Sequence, residues 1–266
     1  MPVRPGQPGV DAGHALRAFN RYEIKYLVDH AALAALREEI AARLDPDEHS
    51  GAHGYEVWST YYDTRKLRFY WEKIEGIRFR RKLRLRHYGD RSTISDDTTV
   101  YVEIKQRVNR VTQKRRVALP YRDARLLCDA RQLVASEPGQ AAFIQEVLGL
   151  VSGLDLRPVA VTGYHREAFV GRDADLGLRV TFDHRVRGRD RDLELGADAE
   201  NRLTIPARLA VVEIKANERV PYWITDLAAR LNLSVARVSK YCQSVEAFGR
   251  APRSVFHIPD HDFQEA

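Results

Sequence analysis

The feature that most constrains this chain is a two-residue alternation in which every second side chain is charged. It is clearest at Val100–Lys105 (Val-Tyr-Val-Glu-Ile-Lys) and returns at Val211–Lys215 (Val-Val-Glu-Ile-Lys). Successive side chains of a strand point to opposite faces, so Glu103 and Lys105 share one face while Val102 and Ile104 take the other. Glu213 and Lys215 share a face in the same way. The pattern recurs at Arg21–Lys25, with Arg21, Glu23 and Lys25 on one side, at Lys82–Arg86, and at Leu178–Asp183. A half-buried sheet with its charged face in water accounts for any one of these strands. Five of them, each with paired cations or a Glu-x-Lys, point further. Rolled into a barrel with the charges inward, they would enclose a wet, cationic lumen with a few carboxylates. Such a lumen suits a long or multiply charged anion together with a divalent metal.

The overall balance is basic, with a net charge of +6, and is rich in Arg. Guanidinium groups suit bidentate contact with phosphate. Charge alone still permits nucleic acid, an anionic membrane or a phosphorylated ligand. No apolar run approaches a membrane span and no apolar leader opens the chain, so the expectation is a cytoplasmic protein without an integral membrane segment. Cys128 and Cys242 sit in segments that read as helical, with no Cys-x-x-Cys, which excludes a disulfide framework and a thiolate zinc site. No Gly-x-x-x-x-Gly-Lys-Ser/Thr loop is present.

Residues 1–18, rich in Pro and Gly, read as a flexible tail, 19–249 as one domain, and 250–266 as a loose C-terminal tail. Strands are predicted near 19–28, 55–62, 77–88, 99–107, 108–119, 158–168, 176–184 and 208–215. Helices are predicted over 30–44, where Leu33, Leu36, Ile40 and Leu44 recur at helical spacing behind an Asp29 cap, and over 123–134, 139–148 and 221–231. A last helix is predicted from a Ser234 cap to about Phe248. Residues 67–73 read as a short helix or an extended segment. The fold class is α+β: an antiparallel closed β-barrel tunnel of about eight strands, helices packed outside, and a C-terminal helix near one mouth.

Arg84 and Arg86, two apart on one strand, point the same way. Lys25, Lys105, Arg166 and Arg179 would join them if the strands are neighbours. Each phosphate oxygen held by Arg gains a charge-assisted hydrogen bond of about 1.5–3 kcal/mol. Glu23, Glu103 and Glu213 lie among these cations. Oxygen ligands suit Mg²⁺ or Mn²⁺, which take one or two carboxylates plus phosphate oxygens. Glu213 is the leading metal ligand, while Glu103 is expected to neutralise its neighbouring lysine. Arg237 and Lys240, three apart on the predicted last helix, would grip phosphate with Ser239 at a tunnel mouth, or would be ordinary surface charges.

Seven motifs stand in one order: Arg21-Tyr-Glu-Ile-Lys-Tyr26, Ser59-Thr-Tyr-Tyr-Asp-Thr64, Arg84-Leu-Arg86, Val102-Glu-Ile-Lys105, Tyr164-His-Arg166, Val212-Glu-Ile-Lys215 and Ser239-Lys-Tyr241. In this the chain resembles VTC domains, the polyphosphate polymerase domains of the triphosphate tunnel metalloenzyme (CYTH-like) superfamily. The resemblance runs from about Phe19 to Phe248. It implies a tunnel-shaped barrel and, from the eukaryotic members, transfer of the terminal phosphate of ATP to a growing polyphosphate chain with a Mn²⁺-type cofactor. It implies phosphate contacts for Lys25, Arg84, Arg86, Lys105, Arg166, Arg179, Ser239 and Lys240, and a metal on Glu213. Arg237 stands where the family pattern often has Lys.

Two departures matter. The wider superfamily opens with Glu-x-Glu-x-Lys, whereas Arg21 stands here at the first Glu, which makes simple triphosphate hydrolysis a weaker expectation. The eukaryotic polymerases are also joined to membrane segments, and this sequence has none. The expected partners are therefore ATP or another triphosphate and inorganic polyphosphate. A tripolyphosphatase or nucleoside triphosphatase of the same fold, and a non-catalytic polyphosphate-binding module, are the alternatives. Nucleic acid is a weaker choice, because charges inside a tunnel cannot reach a duplex.

Overall fold

The alternating segments become strands of a single antiparallel sheet. The computed structural model describes residues 21–258 apart from residues 52 and 110, so the expected tail over 1–18 lies outside the described residues. The strands are β1 (Arg21–Asp29), β2 (Asp45–Pro46), β3 (Tyr55–Asp63), β4 (Phe79–Tyr88), β5 (Thr99–Val108), β6 (Val111–Pro120), β7 (Arg157–Val170), β8 (Arg179–Arg189), β9 (Arg202–Leu203) and β10 (Leu209–Asn217). Their hydrogen-bonded order is β1-β10-β8-β7-β3-β4-β5-β6, with the short β2 on β7 and β9 on β8. The helices are α1 (His30–Arg43), α2 (Arg68–Ile74), α3 (Tyr121–Cys128), α4 (Ala141–Gly153), α5 (Tyr222–Arg230) and α6 (Lys240–Ala247).

Alternation decides which face each helix covers. Tyr26, Val28, Val180, Phe182, Val212 and Ile214 turn to the convex side and are buried under Leu33, Leu36 and Ile40 of α1 and Ile224 and Leu227 of α5. Leu83, Leu85, Val102, Ile104, Val117 and Leu119 do the same under Leu127 of α3 and Ile144, Val147 and Val151 of α4. Burying side chains of this size contributes roughly 1.5–3 kcal/mol each, so the apolar half of every strand fixes which half faces inward. Asp29 caps α1 as the sequence predicts, its Oδ1 accepting from the Ala32 N–H at 3.0 Å.

The expected closed barrel is not completed by backbone hydrogen bonds. The strand path ends at β1 and β6, and no ladder joins them among the described residues. The sheet nevertheless curls, because Lys105 Nζ on β5 comes within 3.3 Å of Glu23 Oε2 on β1. The free edge of β1 is met by residues 235 and 236: Val235 bridges Tyr26, and the Ala236 N–H donates to Lys25 O at 2.7 Å.

That edge contact corrects the predicted start of the last helix. Residues 234–239 are extended, and α6 begins at Lys240 with Ser239 as its cap. Helical spacing in the sequence was overridden by an unpaired strand edge that needed partners. α6 is buried on nearly every side. It lies across the concave face, where a Cβ on Gly188 would meet Val161 O at 2.4 Å and Ser244 Oγ at 3.2 Å. Asp63, at the end of β3, fastens it: Oδ1 accepts from the Phe69 N–H, and Oδ2 from the Tyr70 N–H and from the Tyr241 hydroxyl at 2.6 Å. The segment expected as a loose tail from residue 250 is packed as far as Ile258. Gln243 Nε2 donates to Phe256 O at 2.8 Å, and the Ile258 N–H donates to Gln243 Oε1 at 3.2 Å.

Candidate active site

The concave face gathers the charged half of the alternation. Register sets Glu23 beside Lys215 and Lys25 beside Glu213. It sets Lys215 beside Arg179, Arg166 beside Asp183, Arg84 beside Glu103 and Lys82 beside Lys105. β8 carries one more residue than β7 between the pairs His165–His184 and Gly163–Arg187, with Arg185 in the left-handed region at φ 49°. The insertion is a bulge, which shifts the facing of the residues beyond it along β8.

Lys25 holds both candidate metal acids, with Nζ 3.2 Å from Glu23 Oε1 and 3.7 Å from Glu213 Oε2. Lys215 adds a second cation to Glu213 at 2.6 Å. Burial acts to raise the Glu213 pKa, yet Lys25 and Lys215 outweigh it and hold the carboxyl well below its usual range. Burial likewise opposes the charge on Lys25, and Glu213 and Glu23 overcome it, so the ammonium stays protonated.

Arg84 donates Nε–H to Glu103 Oε2 at 2.7 Å and Nη1–H to the Tyr61 hydroxyl at 2.9 Å. Glu103 also meets Lys114 Nζ at 2.6 Å. It neutralises Arg84 and Lys114 rather than the neighbouring Lys105 that the sequence reading chose. Burial would lift its pKa, but Arg84, Arg86 and Lys114 bring it down to about 2. Arg86 is buried and donates to Ser59 Oγ at 3.1 Å and the Tyr164 hydroxyl at 3.3 Å, with Glu103 only at 4.0 Å.

The remaining predicted residues divide. Arg166 is held by Asp183, and Lys240 reaches the same carboxylate at 2.6 Å. Ser239 accepts from Lys82 Nζ at 2.8 Å, at the N-terminus of α6. Arg179 turns to Asp47 at 2.8 Å and to the Tyr55 hydroxyl at 3.5 Å. Arg237 is not one helical turn from Lys240. It is exposed in the extended segment, its guanidinium 5.6 Å from the Phe256 ring.

Lys82, Tyr61, Asp183, Lys114 and Lys215 belong to this interior and escaped the site reading. Lys82 stood in the Lys82-x-Arg84-x-Arg86 alternation, which was the signal for it. Among the described residues it has no carboxylate within ion-pair distance, and burial, aided by Lys25 and Lys105, lowers its pKa. Tyr61 shows the same cationic field. Burial pushes its phenol up, but Arg84, Arg86 and Lys82 pull it down to about 7. Cations thus exceed acids on a partly desolvated surface, which a polyanion would relieve.

Among the described residues no group of three or more His, Cys, Asp or Glu forms a metal cage. Glu23 and Glu213, which meet at Lys25, offer paired oxygen donors. Two carboxylates that converge on one lysine fit Mg²⁺ or Mn²⁺ when substrate phosphates supply the other ligands.

A curled antiparallel sheet whose concave face is a basic interior capped by a C-terminal helix is the architecture expected of the family, and a family model for the VTC domain matches residues 20–248. The chain belongs to the VTC domain family. It is 30% identical over 234 residues to vacuolar transporter chaperone complex subunit 4 of Trypanosoma brucei brucei, and 28% identical over 232 residues to the subunit of the same name from Trypanosoma cruzi. Each match covers 75% of this chain and 29% of the relative. Among solved structures it is similar to a putative adenylate cyclase from Bacillus halodurans (TM-score 0.47, 12% identity, 83% of this chain and 95% of the other). It is also similar to the PH1819 protein of Pyrococcus horikoshii (TM-score 0.42, 12% identity, 86% and 97%). No helix among the described residues is long and apolar enough to cross a membrane.

Proposed function

We propose that this chain is a metal-dependent polyphosphate polymerase, working in the cytoplasm, that moves the terminal phosphate of ATP onto a polyphosphate chain held in the basic interior. The observation that carries the reading is the convergence of Lys25, Lys82, Arg84, Arg86, Lys105, Arg166 and Lys240 on one concave face. In it, Arg84, Arg86 and Arg166 bind and orient the triphosphate, and Lys82, Lys240 and the Ser239 cap hold phosphate at the α6 N-terminus. Glu23 and Glu213 would hold Mg²⁺ or Mn²⁺, whose positive charge would offset the negative charge on the transferred phosphoryl group. Alignment of donor and acceptor and electrostatic stabilisation supply the catalysis, with no covalent nucleophile. The curl of the sheet supports enclosure of the chain in a tunnel.

Purified protein given ATP and each divalent metal in turn is expected to release ADP and build polymer. ADP accompanied by orthophosphate and no polymer would make it a hydrolase. A non-catalytic polyphosphate-binding module is the second reading, favoured by one fact: both metal-candidate acids are already engaged by lysines. Tight, salt-sensitive binding with no ADP formed under any metal would select it.

A further inference from the structure

The end of the concave face away from α6 is built differently from the rest. Tyr55 opens β3, whose other end, Asp63, binds Tyr241 of α6. Tyr88 closes β4 six residues beyond Lys82, the residue that holds Ser239. By strand alternation Tyr55, Tyr88 and Tyr101 sit on the same face as Arg84, Arg86 and Glu103. Their rings form a row, with Tyr55 and Tyr88 centroids 6.0 Å apart at 59° and Tyr88 and Tyr101 5.6 Å apart at 73°, so each ring presents its own face rather than a share of one plane. All three are half-buried, so each keeps surface open to solvent. Cations flank the row: the Arg116 guanidinium lies 4.5 Å from the Tyr101 centroid and that of Arg86 5.8 Å from Tyr88.

A bare phosphate chain has no use for an aromatic row. A nucleoside triphosphate does, because its base is a flat π-surface at one end of its phosphates. Tyr55 pairs in register with Arg166, and Tyr88 is two residues from Arg86, so the row adjoins the phosphate-binding cations. We infer that Tyr55, Tyr88 and Tyr101 line a platform site for the base of a nucleoside triphosphate whose phosphates point toward Arg86 and Arg84, the base stacking on one ring while the inclined neighbours border it. The inference rests on the phosphate-binding reading above. It makes the base, rather than the phosphates, the feature by which the donor is told from the polymer. Stacking uses the face of the base, so purine nucleotides with different edges are accepted alike.

Titration calorimetry on the full chain with ATP and with inorganic tripolyphosphate tests this without requiring turnover. Tyr101→Ala is expected to weaken ATP about 5- to 150-fold, the range for losing one base–aromatic stack. Tripolyphosphate affinity is expected to stay unchanged, and Tyr101→Phe to keep wild-type ATP affinity. Tyr88→Ala provides a second variant if Tyr101→Ala does not fold. Equal weakening of both ligands, or no loss of ATP affinity in either alanine variant, overturns the platform. Wild-type protein that binds tripolyphosphate, and binds ribose 5-triphosphate as tightly as ATP, also overturns it and leaves the phosphate reading standing. Wild-type protein that binds neither ligand sinks the phosphate reading, and the platform with it.

Discussion

Arg166 on β7 and Asp183 on β8 face each other as a two-point ion pair, Nε to Oδ1 at 2.6 Å and Nη2 to Oδ2 at 2.8 Å. Lys240 shares Oδ2, so the first residue of α6 is fastened to the sheet through the same carboxylate. Burial opposes ionisation of Asp183, and Arg166 with Lys240 overcomes it, holding its pKa below the usual range. Asp183 therefore organises two phosphate-binding candidates at once.

Removing that carboxylate leaves two buried cations without a partner. Asp183→Asn is expected to destabilise the ligand-free protein by about 3–5 kcal/mol, read from the urea midpoint at constant slope. Added tripolyphosphate is expected to recover part of the loss, since it offers the freed guanidinium and ammonium groups an anion.

Glu103 gives an acid-stability signature. Its folded pKa of about 2 lies below the ordinary 4.5. A depressed carboxyl contributes stability that is complete above 4.5 and is lost as pH falls through 2. The contribution is on the order of 3 kcal/mol. Urea unfolding of wild type and Glu103→Gln should differ most at neutral pH, with the gap closing between pH 4.5 and 2.

Lys82 contributes charge to the interior without a carboxylate of its own. Lys82→Met is expected to weaken tripolyphosphate by about 10- to 100-fold, the loss of one charge-assisted hydrogen bond. Calorimetry at two salt concentrations checks it, and the variant should show the smaller salt dependence.

Tyr61 reports the field directly. Its phenol, at about 7 rather than 10.0, should give a phenolate absorbance step near neutral pH that is absent in Tyr61→Phe. Because the folded pKa is the lower, ionisation adds stability as pH rises from 7 toward 10 and adds none well below 7. A bound polyanion favours the neutral phenol, so tripolyphosphate affinity should fall as pH rises through 7.

Glu213→Gln separates binding from chemistry. Turnover is expected to drop about 100-fold or more, as when a transition-state electrostatic partner is removed. Tripolyphosphate binding should survive, because Lys25 and Lys215 lose an acid that competes for them.

The facing of these side chains was legible because strand alternation is a local rule. Val102 and Ile104 had to be covered, which put Glu103 and Lys105 together on the opposite face, and the curl of the sheet then turned that face inward. What depended on distant partners was not legible. Ser234 looked like a helix cap, yet Val235 and Ala236 serve the edge of β1, a strand some two hundred residues earlier in the chain. Arg179 lies beside Lys215 on the inner face, as its alternation says, but nothing near it in the chain announced its partner Asp47. Arg237 left the predicted helix face for the same reason that the helix began late. Asp183 was read as one residue of an alternating strand, and only the register with β7 and the docking of α6 made it a hub.

The side-chain contact between β5 and β1 has a mechanical consequence. Glu23 on β1 and Lys105 on β5, the strand next to the β6 end of the path, meet across the concave face and tie the two ends of the sheet together. A half-exposed ion pair of this kind is worth about 1 kcal/mol or less. The enclosure therefore has a clasp: it can part along one line while every strand keeps its neighbours. The amides on the outward edge of β6, which no neighbouring strand covers among the described residues, should exchange with solvent far ahead of the strands at the centre of the sheet.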